Sequence, residues 1–464
     1  MRGFLMLMTV SVLSYQTVHA QQTTSMSLDD CLKYAERNQP KIKNAMIDYQ
    51  SAIAKNKEVT GAAFPQLTAQ GGISYAPFVA AFKVPNFIKG IVAGSGSTPG
   101  LVNQSALNQQ VVDAMPNDMS LAFQPRWSSN GTLQLNQLLF NPDLTIALKA
   151  RQTMEELAEK SAGLTVLDVK VAVSKAYYNI LIAEKQLELI SKNRQQLEQI
   201  ETETKEIYKA GYAEKLDIDR ITVSLTNLKT QQIKVAQMIE LAYLALKFQM
   251  GMPLEESISL GDTLSESLVS SSLLTEELNL SARKEYQLLQ VQNKLLGLDV
   301  TRHKMAWLPS LSAFGNYGYN LYNMDKLFKS GEEWQRNSMF GVNLNMPLFT
   351  GLQKRYQLKQ AKYTLEKNKN DIANLTMALT LEKENARISL RNNLLALENQ
   401  KQNMKLAEEV YATTRIKYKE GVGSNLEIMN AEAALKEAQT SYFMALYETV
   451  TSKIDLEKAL GHIN

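Results

Sequence analysis

Side chains that commonly take part in chemistry are scarce in this sequence. Beyond residue 20 it has two histidines, His303 and His462, and one cysteine, Cys31. The histidines lack the spacing of a metal site and do not suggest a Ser-His-Asp or Cys-His pair. We interpret Cys31 as a small apolar residue on a helix. The sequence therefore predicts that the protein is not an enzyme and uses no metal and no other cofactor.

Acidic side chains that follow two glycine turns are the exception. Asp217 and Asp219 follow the turn at Gly211. Glu427 follows the turn at Gly421, at the position that matches Asp217. If several copies surrounded an axis, each acid would form a ring that attracts cations, provided that the tips approach within about 8 Å, the screening length. The alternative is that the dipole of the next helix favours an acid in its first turn. Both interpretations stay open at this point.

The two turns belong to a motif that occurs twice in the chain. Tyr208–Gly211 recurs as Tyr418–Gly421, and each copy leads to an acid followed by isoleucine. Nearly the same offset carries Leu135–Phe140 onto Leu344–Phe349. A register held over such a distance indicates that one structural unit was duplicated. Two copies of a unit in one chain suggest pseudo-symmetry, as in a ring or tube.

The segments that flank each turn favour long helices. The stretch from Gly351 to Gly421 contains no glycine or proline between its ends. At ~1.5 Å per residue, those ~69 residues would form a helix on the order of 100 Å long. In the first copy, Asn141-Pro142-Asp143 combines a capping residue, a first-turn proline and an early acid. We predict two long helical hairpins, 142–251 with its tip near 211 and 352–461 with its tip near 421.

Upstream of each hairpin the hydrophobic pattern changes from helical to alternating. Phe340, Val342 and Leu344, for example, alternate with glycine and asparagine. Segments of ~9–11 residues with one apolar and one polar face are typical of transmembrane β-strands. Four strands cannot close a barrel, and an open edge in lipid is costly, so other subunits must supply the rest. The predicted strands are 66–76, 128–140, 310–320 and 338–349.

The first twenty residues predict export. Arg2, the apolar stretch Phe4–Leu13 and Val18-His19-Ala20 are typical of a secretory signal peptide, which we place at 1–20. The apolar stretch is shorter than the ~20 residues of a spanning helix, and no later stretch qualifies. With a net charge of +3 and 21% charged residues, the chain has no strong field that would indicate nucleic acid as a partner.

We divide the remaining chain into repeat 1, 21–262, and repeat 2, 263–464. Each repeat is predicted to begin with a helix, 28–63 or 275–307, that ends at a proline before the first strand. The connection between the strands of repeat 1, 76–127, is long and carries enough apolar residues to be partly ordered.

The order and doubling of these features resemble the TolC-like outer membrane efflux family. The signal peptide, the proline–strand junctions, the paired tips of the form Tyr-Lys-x-Gly-x5-Asp/Glu-Ile and the closing Lys458–Gly461 carry the resemblance. It implies a mixed membrane protein, a homotrimer whose twelve-stranded β-barrel (four strands per chain) continues into a long α-helical barrel. The expected location is the outer membrane of a Gram-negative bacterium, with the helical part in the periplasm.

The resemblance also implies a function and partners. The protein would be the outer membrane channel, or exit duct, of a tripartite efflux or export system, and would conduct substrates passively. Its partners would be an inner-membrane pump, a periplasmic adaptor (membrane fusion) protein and outer membrane lipid. Carried over by position, the gate or constriction residues would be Tyr208, Asp217, Asp219, Tyr418, Glu427 and Asn430. The adaptor-binding tips would be Gly211, Tyr212, Ala213, Gly421, Val422 and Gly423.

Two of these positions depart from the better-known pattern of the family. Gly423 stands where a gate arginine would pair, and Asn430 stands where a second acid ring would be. We therefore expect the closed state to depend more on tyrosine packing than on an electrostatic latch.

A second interpretation is a cell-surface or periplasmic structural coiled-coil protein without channel activity. It would explain the long helices. It would leave unexplained the alternating segments at matched positions in each repeat.

Overall fold

The computed structural model describes residues 24–89, 114–122, 125–263, 272–323 and 333–463. The signal peptide predicted at 1–20 lies outside these ranges. The chain forms two compact units. The described residues of 24–55, 150–297 and 360–463 form a helical unit, and those of 56–149 and 298–359 form a strand unit.

The elements alternate between helices and strands along the chain. The helices are α1 (Leu28–Asn38), α2 (Pro40–Gly61), α3 (Pro142–Lys209), α4 (Lys215–Met250), α5 (Lys284–Met305), α6 (Gln353–Lys419) and α7 (Asn425–Leu460). The strands are β1 (Thr24–Met26), β2 (Gln66–Tyr75), β3 (Ala81–Pro85), β4 (Asp118–Ala122), β5 (Trp127–Phe140), β6 (Ile258–Leu260), β7 (Ser310–Asn323) and β8 (Gln335–Asn345).

Glycine sets the ends of the long helices. With 68 and 67 residues, α3 and α6 are each about 100 Å long. The helices α4 and α7, both of 36 residues, end at Gly251 and Gly461, whose φ angles are +71° and +81°. Glycine adopts this left-handed conformation readily. It ends a helix because the N–H groups that follow can then donate to the last carbonyls of the helix.

The helices that precede the strands are shorter than predicted. The single helix predicted over 28–63 is wrong, because Gln39 is extended (φ −62°, ψ 121°) and separates α1 from α2. Pro40 follows Gln39 and disfavours a helical conformation in the residue before it. The helix predicted over 275–307 begins only at Lys284. Before it lie two 3-10 turns, Ser272–Thr275 and Leu280–Ala282, the second capped by the Asn279 side chain.

The N-terminal part of the chain packs into the core of the helical unit. Strand β1 pairs in parallel with β6, Thr24 opposite Ile258. The buried Tyr177 hydroxyl on α3 donates to the Asp262 carboxylate (2.8 Å) and also lies 3.2 Å from the Met26 carbonyl. Cys31 on α1 is fully buried in the same cluster, which confirms its interpretation as a packing residue.

The strand unit contains a four-stranded antiparallel sheet in the order β2-β5-β7-β8. The register places Leu67 opposite Leu135 and Leu133 opposite Tyr317. Because side chains alternate between the faces of a sheet, these residues share one face with the exposed Val342 and Leu344. The other face is mainly polar: beside Phe314 and Met339 it carries Gln70, Thr132, Gln134, Asn316, Asn337 and Asn343.

Two parts of the strand unit differ from the prediction. The last strand lies at Gln335–Asn345 instead of 338–349, because Pro347 has no N–H for the ladder. The predicted connection 76–127 contains the antiparallel pair β3–β4, with Ala81 opposite Ala122. Residues 90–113 and 123–124 of that connection lie outside the described ranges.

Glycine and phenylalanine face each other across β7 and β8. Gly315 pairs with Phe340, and Phe314 pairs with Gly341. A Cβ atom on Gly315 would lie 2.8 Å from the Phe340 ring, and one on Gly341 would lie 2.8 Å from the Phe314 ring. Each ring therefore covers the glycine on the opposite strand, one pair on each face of the sheet.

None of the described helices is long and apolar enough to cross a membrane.

Candidate functional site at the hairpin tips

The first tip, between α3 and α4, is closed by backbone hydrogen bonds around a left-handed glycine. Gly211 has a φ of +85°. Its N–H donates to the Tyr208 carbonyl at 2.9 Å, and the Tyr212 N–H donates to the Ile207 carbonyl at 3.0 Å. These bonds satisfy the last carbonyls of α3 and leave the Tyr212 side chain 87% exposed beyond the helix end.

The second tip, between α6 and α7, has the same closure with one tighter contact. Gly421 has a φ of +73°, and the N–H groups of Val422 and Gly423 both donate to the Lys417 carbonyl, at 3.0 and 3.1 Å. A Cβ atom on Gly423 would lie 3.0 Å from the Tyr418 backbone nitrogen. This close approach gives a local reason for glycine at the position where the family resemblance would place an arginine.

The acids after the two turns have different local surroundings. The half-buried Asp217 accepts a hydrogen bond from the Glu214 backbone N–H at 3.1 Å, which caps the start of α4. At the second tip the Ser424 hydroxyl performs this capping, accepting from the Glu427 N–H at 3.2 Å. The Glu427 side chain is exposed, as is that of Asp219. Capping therefore accounts for Asp217, whereas Glu427 presents its carboxylate to the surroundings of the tip.

Tyr418 connects the two hairpins one turn before the second tip. Its hydroxyl lies 2.9 Å from the Thr204 hydroxyl on α3, and Thr204 is fully buried. The Tyr418 ring packs against a buried cluster that includes Ile221 and Ile428. Tyr208, its counterpart in the first hairpin, is 44% exposed. The two tyrosines of the repeated motif thus have different environments.

Further polar contacts join the hairpins near the tips. The Asn425 side chain donates to the Asp217 carbonyl at 3.3 Å, and the Ser224 hydroxyl donates to Glu432 at 2.9 Å. Asn430 is exposed. Thr204, Ser224 and Glu432 could not be identified from the sequence, because their role depends on which helices pack against each other. The motif spacing carries no such signal.

A buried tyrosine lies farther along α6. Burial raises the pKa of Tyr411 to about 12; Arg415 lowers it and Glu432 adds to the rise. Tyr411 therefore stays a neutral packing residue at physiological pH. Among the described residues, no three His, Cys, Asp or Glu side chains are grouped so that they could hold a metal ion.

Comparison with known proteins finds a family match that includes the second tip. Residues 288–462 match the model of the outer membrane efflux protein family. Outer membrane protein TolC of Vibrio cholerae is 22% identical over 69% of this chain and 72% of its own. The alkaline protease secretion protein AprF of Pseudomonas aeruginosa is also 22% identical, over 69% of this chain and 67% of its own.

A solved structure shows the same fold over almost the whole chain. The outer membrane protein VceC of Vibrio cholerae superposes with a TM-score of 0.68 at 16% sequence identity, covering 94% of this chain and 96% of its own. The chain is similar to TolC-like outer membrane efflux proteins. The resemblance drawn from the sequence is confirmed. The similarity supports the predicted location in the outer membrane of a Gram-negative bacterium, with the helical part in the periplasm.

Proposed function

We propose that this protein is the passive exit duct of a tripartite efflux or export system, fed by an inner-membrane pump through a periplasmic adaptor. The observation that carries the proposal is the four-stranded sheet with one apolar and one polar face. Such a sheet suits a barrel wall with lipid outside and a water-filled lumen inside. The similarity to outer membrane efflux proteins supports the same role.

The two sheet edges support a homotrimer. Within the described residues, β2 and β8 each have one strand neighbour in this sheet. In lipid, each unpaired backbone group on an open edge would cost several kcal/mol. We infer that three copies join edge to edge, giving a closed barrel of twelve strands, an even number as in other bacterial barrels.

A stripe of exposed apolar side chains on α6 supports the same assembly. Met377, Leu381, Ile388 and Leu395 are spaced by four, seven and seven residues and are 44–65% exposed in one copy. This heptad spacing is typical of a seam covered by a neighbouring helix. We infer that the neighbours belong to other subunits and that together they form a helical barrel.

The order of elements supports an origin by duplication. The series α2-β2-β5-α3-α4 corresponds to α5-β7-β8-α6-α7. Corresponding helices have nearly equal lengths: 22 and 22, 68 and 67, and 36 and 36 residues. We therefore retain residues 21–262 and 263–464 as the two proposed repeats.

We assign the gate to the helical ends near the two tips. In a threefold assembly Glu427 would form a ring of carboxylates, joined by Asp219 and by the capping acid Asp217. The bond between Tyr418 and Thr204 would hold α6 against α3 in the closed state. Tyr208 and Asn430, both exposed, complete the proposed constriction.

The exposed turns are the proposed adaptor surface. Tyr212 is 87% exposed and Val422 is 78% exposed, and each projects from a loop whose backbone is fixed by glycine. An aromatic and an aliphatic side chain on rigid loops suit insertion between the helices of a partner. Gly211, Ala213, Gly421 and Gly423 set the shape of these loops.

Passive conduction needs no catalytic step, no cofactor and no nucleic acid. The competing structural role would need only the helices and would leave the two-faced sheet without a purpose. Electrical recording separates the two, because a structural coiled coil conducts no ions through a lipid bilayer.

The decisive experiment combines electron microscopy with planar-bilayer recording on the detergent-purified protein. We expect threefold particles with a detergent belt at one end and discrete ion conductance after insertion. Compact particles without a belt, or bilayers that stay silent, would contradict the proposal.

A further inference from the structure

The strand unit contains a polar cavity where its helices meet the sheet. Its volume is about 410 Å³. Its walls come from the start of α3, the end of α5, the start of α6, and Ser310 and Asn345, which pair at the ends of β7 and β8. Arg302 and Lys354 bring cationic side chains to the lining, and His303 lies beside them. None of these residues belongs to the tip site.

The basic groups of the lining have different partners. Arg302 forms an ion pair with Asp299 at 2.8 Å, and His303 lies 3.7 Å from the same carboxylate. Lys354 donates to the Ala306 backbone carbonyl, which is a neutral acceptor. In the described part of the chain no carboxylate forms an ion pair with Lys354. Its ammonium group therefore brings a positive charge to a cavity whose one lining acid is Asp143.

The cavity lies at the level of an aromatic and aliphatic girdle. Trp307 and Leu308 directly precede β7, and Leu348 and Phe349 follow β8 within four residues. These four side chains are between 41% and 83% exposed. Such girdles mark the two membrane–water interfaces of outer membrane barrels. The phosphate groups of the lipids lie at the same depth.

We propose that this cavity binds the phosphate group of an anionic phospholipid from the periplasmic leaflet. Lys354 would bind the phosphate oxygens, with the amide groups of Asn345 and Gln357 as further donors. Basic pockets beside membrane segments are known to hold anionic head groups. The inference rests on the membrane placement of the strand unit given under the proposed function.

The test is a binding measurement on the purified trimer in uncharged detergent. Short-chain phosphatidylglycerol, short-chain phosphatidylcholine and inorganic phosphate are titrated separately by calorimetry. We expect phosphatidylglycerol to bind and the other two to bind at least about tenfold more weakly, because each lacks either the net charge or the glycerol-linked chains. Equal binding of phosphatidylcholine would overturn the proposal, and equal binding of inorganic phosphate would assign the cavity to the free ion instead.

Two variants locate the binding. Lys354→Gln should weaken phosphatidylglycerol binding by about tenfold, since it removes a charge-assisted hydrogen bond. Gln357→Glu should weaken it similarly and keeps the Lys354 bond to Ala306, so it covers the case in which Lys354→Gln fails to fold. Lys57→Gln, at an exposed position on α2 in the same unit, is the matched control and should bind like the parent protein.

Unchanged affinity in both cavity variants would overturn the proposal. Bilayer conductance is recorded in parallel. A conducting parent protein that does not bind phosphatidylglycerol refutes the lipid site alone, whereas a parent protein without conductance refutes the channel.

Discussion

Gln39 and Arg283 hold equivalent positions against the C-terminal ends of α4 and α7. Each is the residue directly before a 22-residue helix, α2 or α5. The Gln39 amide donates to the last carbonyls of α4, those of Phe248 (3.1 Å) and Gln249 (2.7 Å). The Arg283 guanidinium donates to the Ala459 carbonyl of α7 at 2.8 Å. The end of α4 is thus capped by a neutral amide, and the end of α7 is capped by a charged guanidinium.

Arg283 is expected to contribute more to stability than Gln39. Arg283 is 1% exposed and also pairs with Glu285 (3.1 Å) and Glu382 (2.9 Å). Arg283→Leu leaves Glu285 half-buried without its cation and should lower the free energy of unfolding by about 3–5 kcal/mol. Gln39→Leu should cost about 1–3 kcal/mol. Urea unfolding followed by circular dichroism measures both.

The exposed Arg391 on α6 supplies the control for that series. Arg391→Gln should leave the urea midpoint within experimental error. A smaller loss for Arg283→Leu than for Gln39→Leu would contradict the role given to the buried ion pairs.

The hydroxyl pair of Thr204 and Tyr418 is expected to stabilise the closed state. Tyr418→Phe and Thr204→Val each remove the 2.9 Å hydrogen bond and keep the shape of the side chain. A loss of about 1 kcal/mol in one subunit should raise the open fraction of that subunit about fivefold. Single-channel recording of leak conductance measures it.

The double variant tests whether the two changes act through one bond. Tyr418→Phe combined with Thr204→Val should leak no more than the stronger single variant. Tyr356→Phe, an exposed tyrosine at the start of α6, should conduct like the parent protein. Additive effects would mean that the residues act separately.

Substitution of Glu427 should change ion selectivity, whereas substitution of Asp217 should change stability. Glu427 is exposed and its helix is capped by Ser424, so Glu427→Gln should reduce cation selectivity without a loss of stability. Asp217→Ala removes the acceptor of the Glu214 N–H and should cost about 1 kcal/mol. Reversal potentials in asymmetric KCl and urea midpoints measure the two effects. Unchanged selectivity in Glu427→Gln would remove this residue from the proposed constriction.

Cys31 should make the helical unit sensitive to alkaline pH. Burial, with smaller contributions from Asp30 and Asp262, raises the pKa of the thiol from its usual 9.0 to about 12. The unfolded chain loses this proton above pH 9 whereas the folded chain keeps it. Stability that is fully present below pH 9 is therefore lost as the pH rises towards 12, at up to about 1.4 kcal/mol per pH unit.

Cys31→Ala should flatten this dependence between pH 9 and 11. Some slope should remain, because burial also raises the pKa of Tyr411 from its usual 10.0 to about 12. Urea midpoints at half-unit pH steps measure the slope. Identical slopes in the parent protein and the variant would show that the thiol does not titrate differently in the folded state.

Replacing either of two glycines by alanine should change the stability of the protein in opposite directions. At Gly423 a Cβ atom would approach backbone nitrogen to 3.0 Å, so Gly423→Ala should destabilise the second tip and increase proteolysis there. Gly163 lies inside α3 with no neighbouring atom within 4 Å of an added Cβ. Gly163→Ala should stabilise the protein by about 0.5–1 kcal/mol. Limited proteolysis and urea unfolding test the pair, and a neutral Gly423→Ala would contradict the close approach.

The long helices could be predicted because their signals are local. An absence of glycine and proline between Gly351 and Gly421 favours one uninterrupted helix. Gly211 and Gly421 mark the C-terminal ends of α3 and α6 whatever these helices pack against. The strand pattern is local too, because alternation along β8 follows from one apolar and one polar face. The break between α1 and α2 at Gln39 could also be predicted from the sequence, since Pro40 disfavours a helical conformation in the residue before it.

The contacts that hold the site together could not be predicted in this way. Thr204 meets Tyr418, and Ser224 meets Glu432, only because separate helices pack with one particular register. A side chain three or four positions away on the same helix would serve a different register equally well. The capping roles of Gln39 and Arg283 depend in the same way on which helix end each of them reaches.

The parallel pairing of β1 with β6 constrains the order in which the exported chain can mature. Thr24–Met26 leaves the inner membrane first, yet its hydrogen-bond partner, Ile258–Leu260, follows more than half of the chain later. Until that partner arrives, the leading segment has an unpaired strand and Tyr177 lacks the Asp262 carboxylate. In an exported chain the N-terminal strand would therefore stay unpaired for about half of translocation, and we expect periplasmic chaperones to bind it during that time.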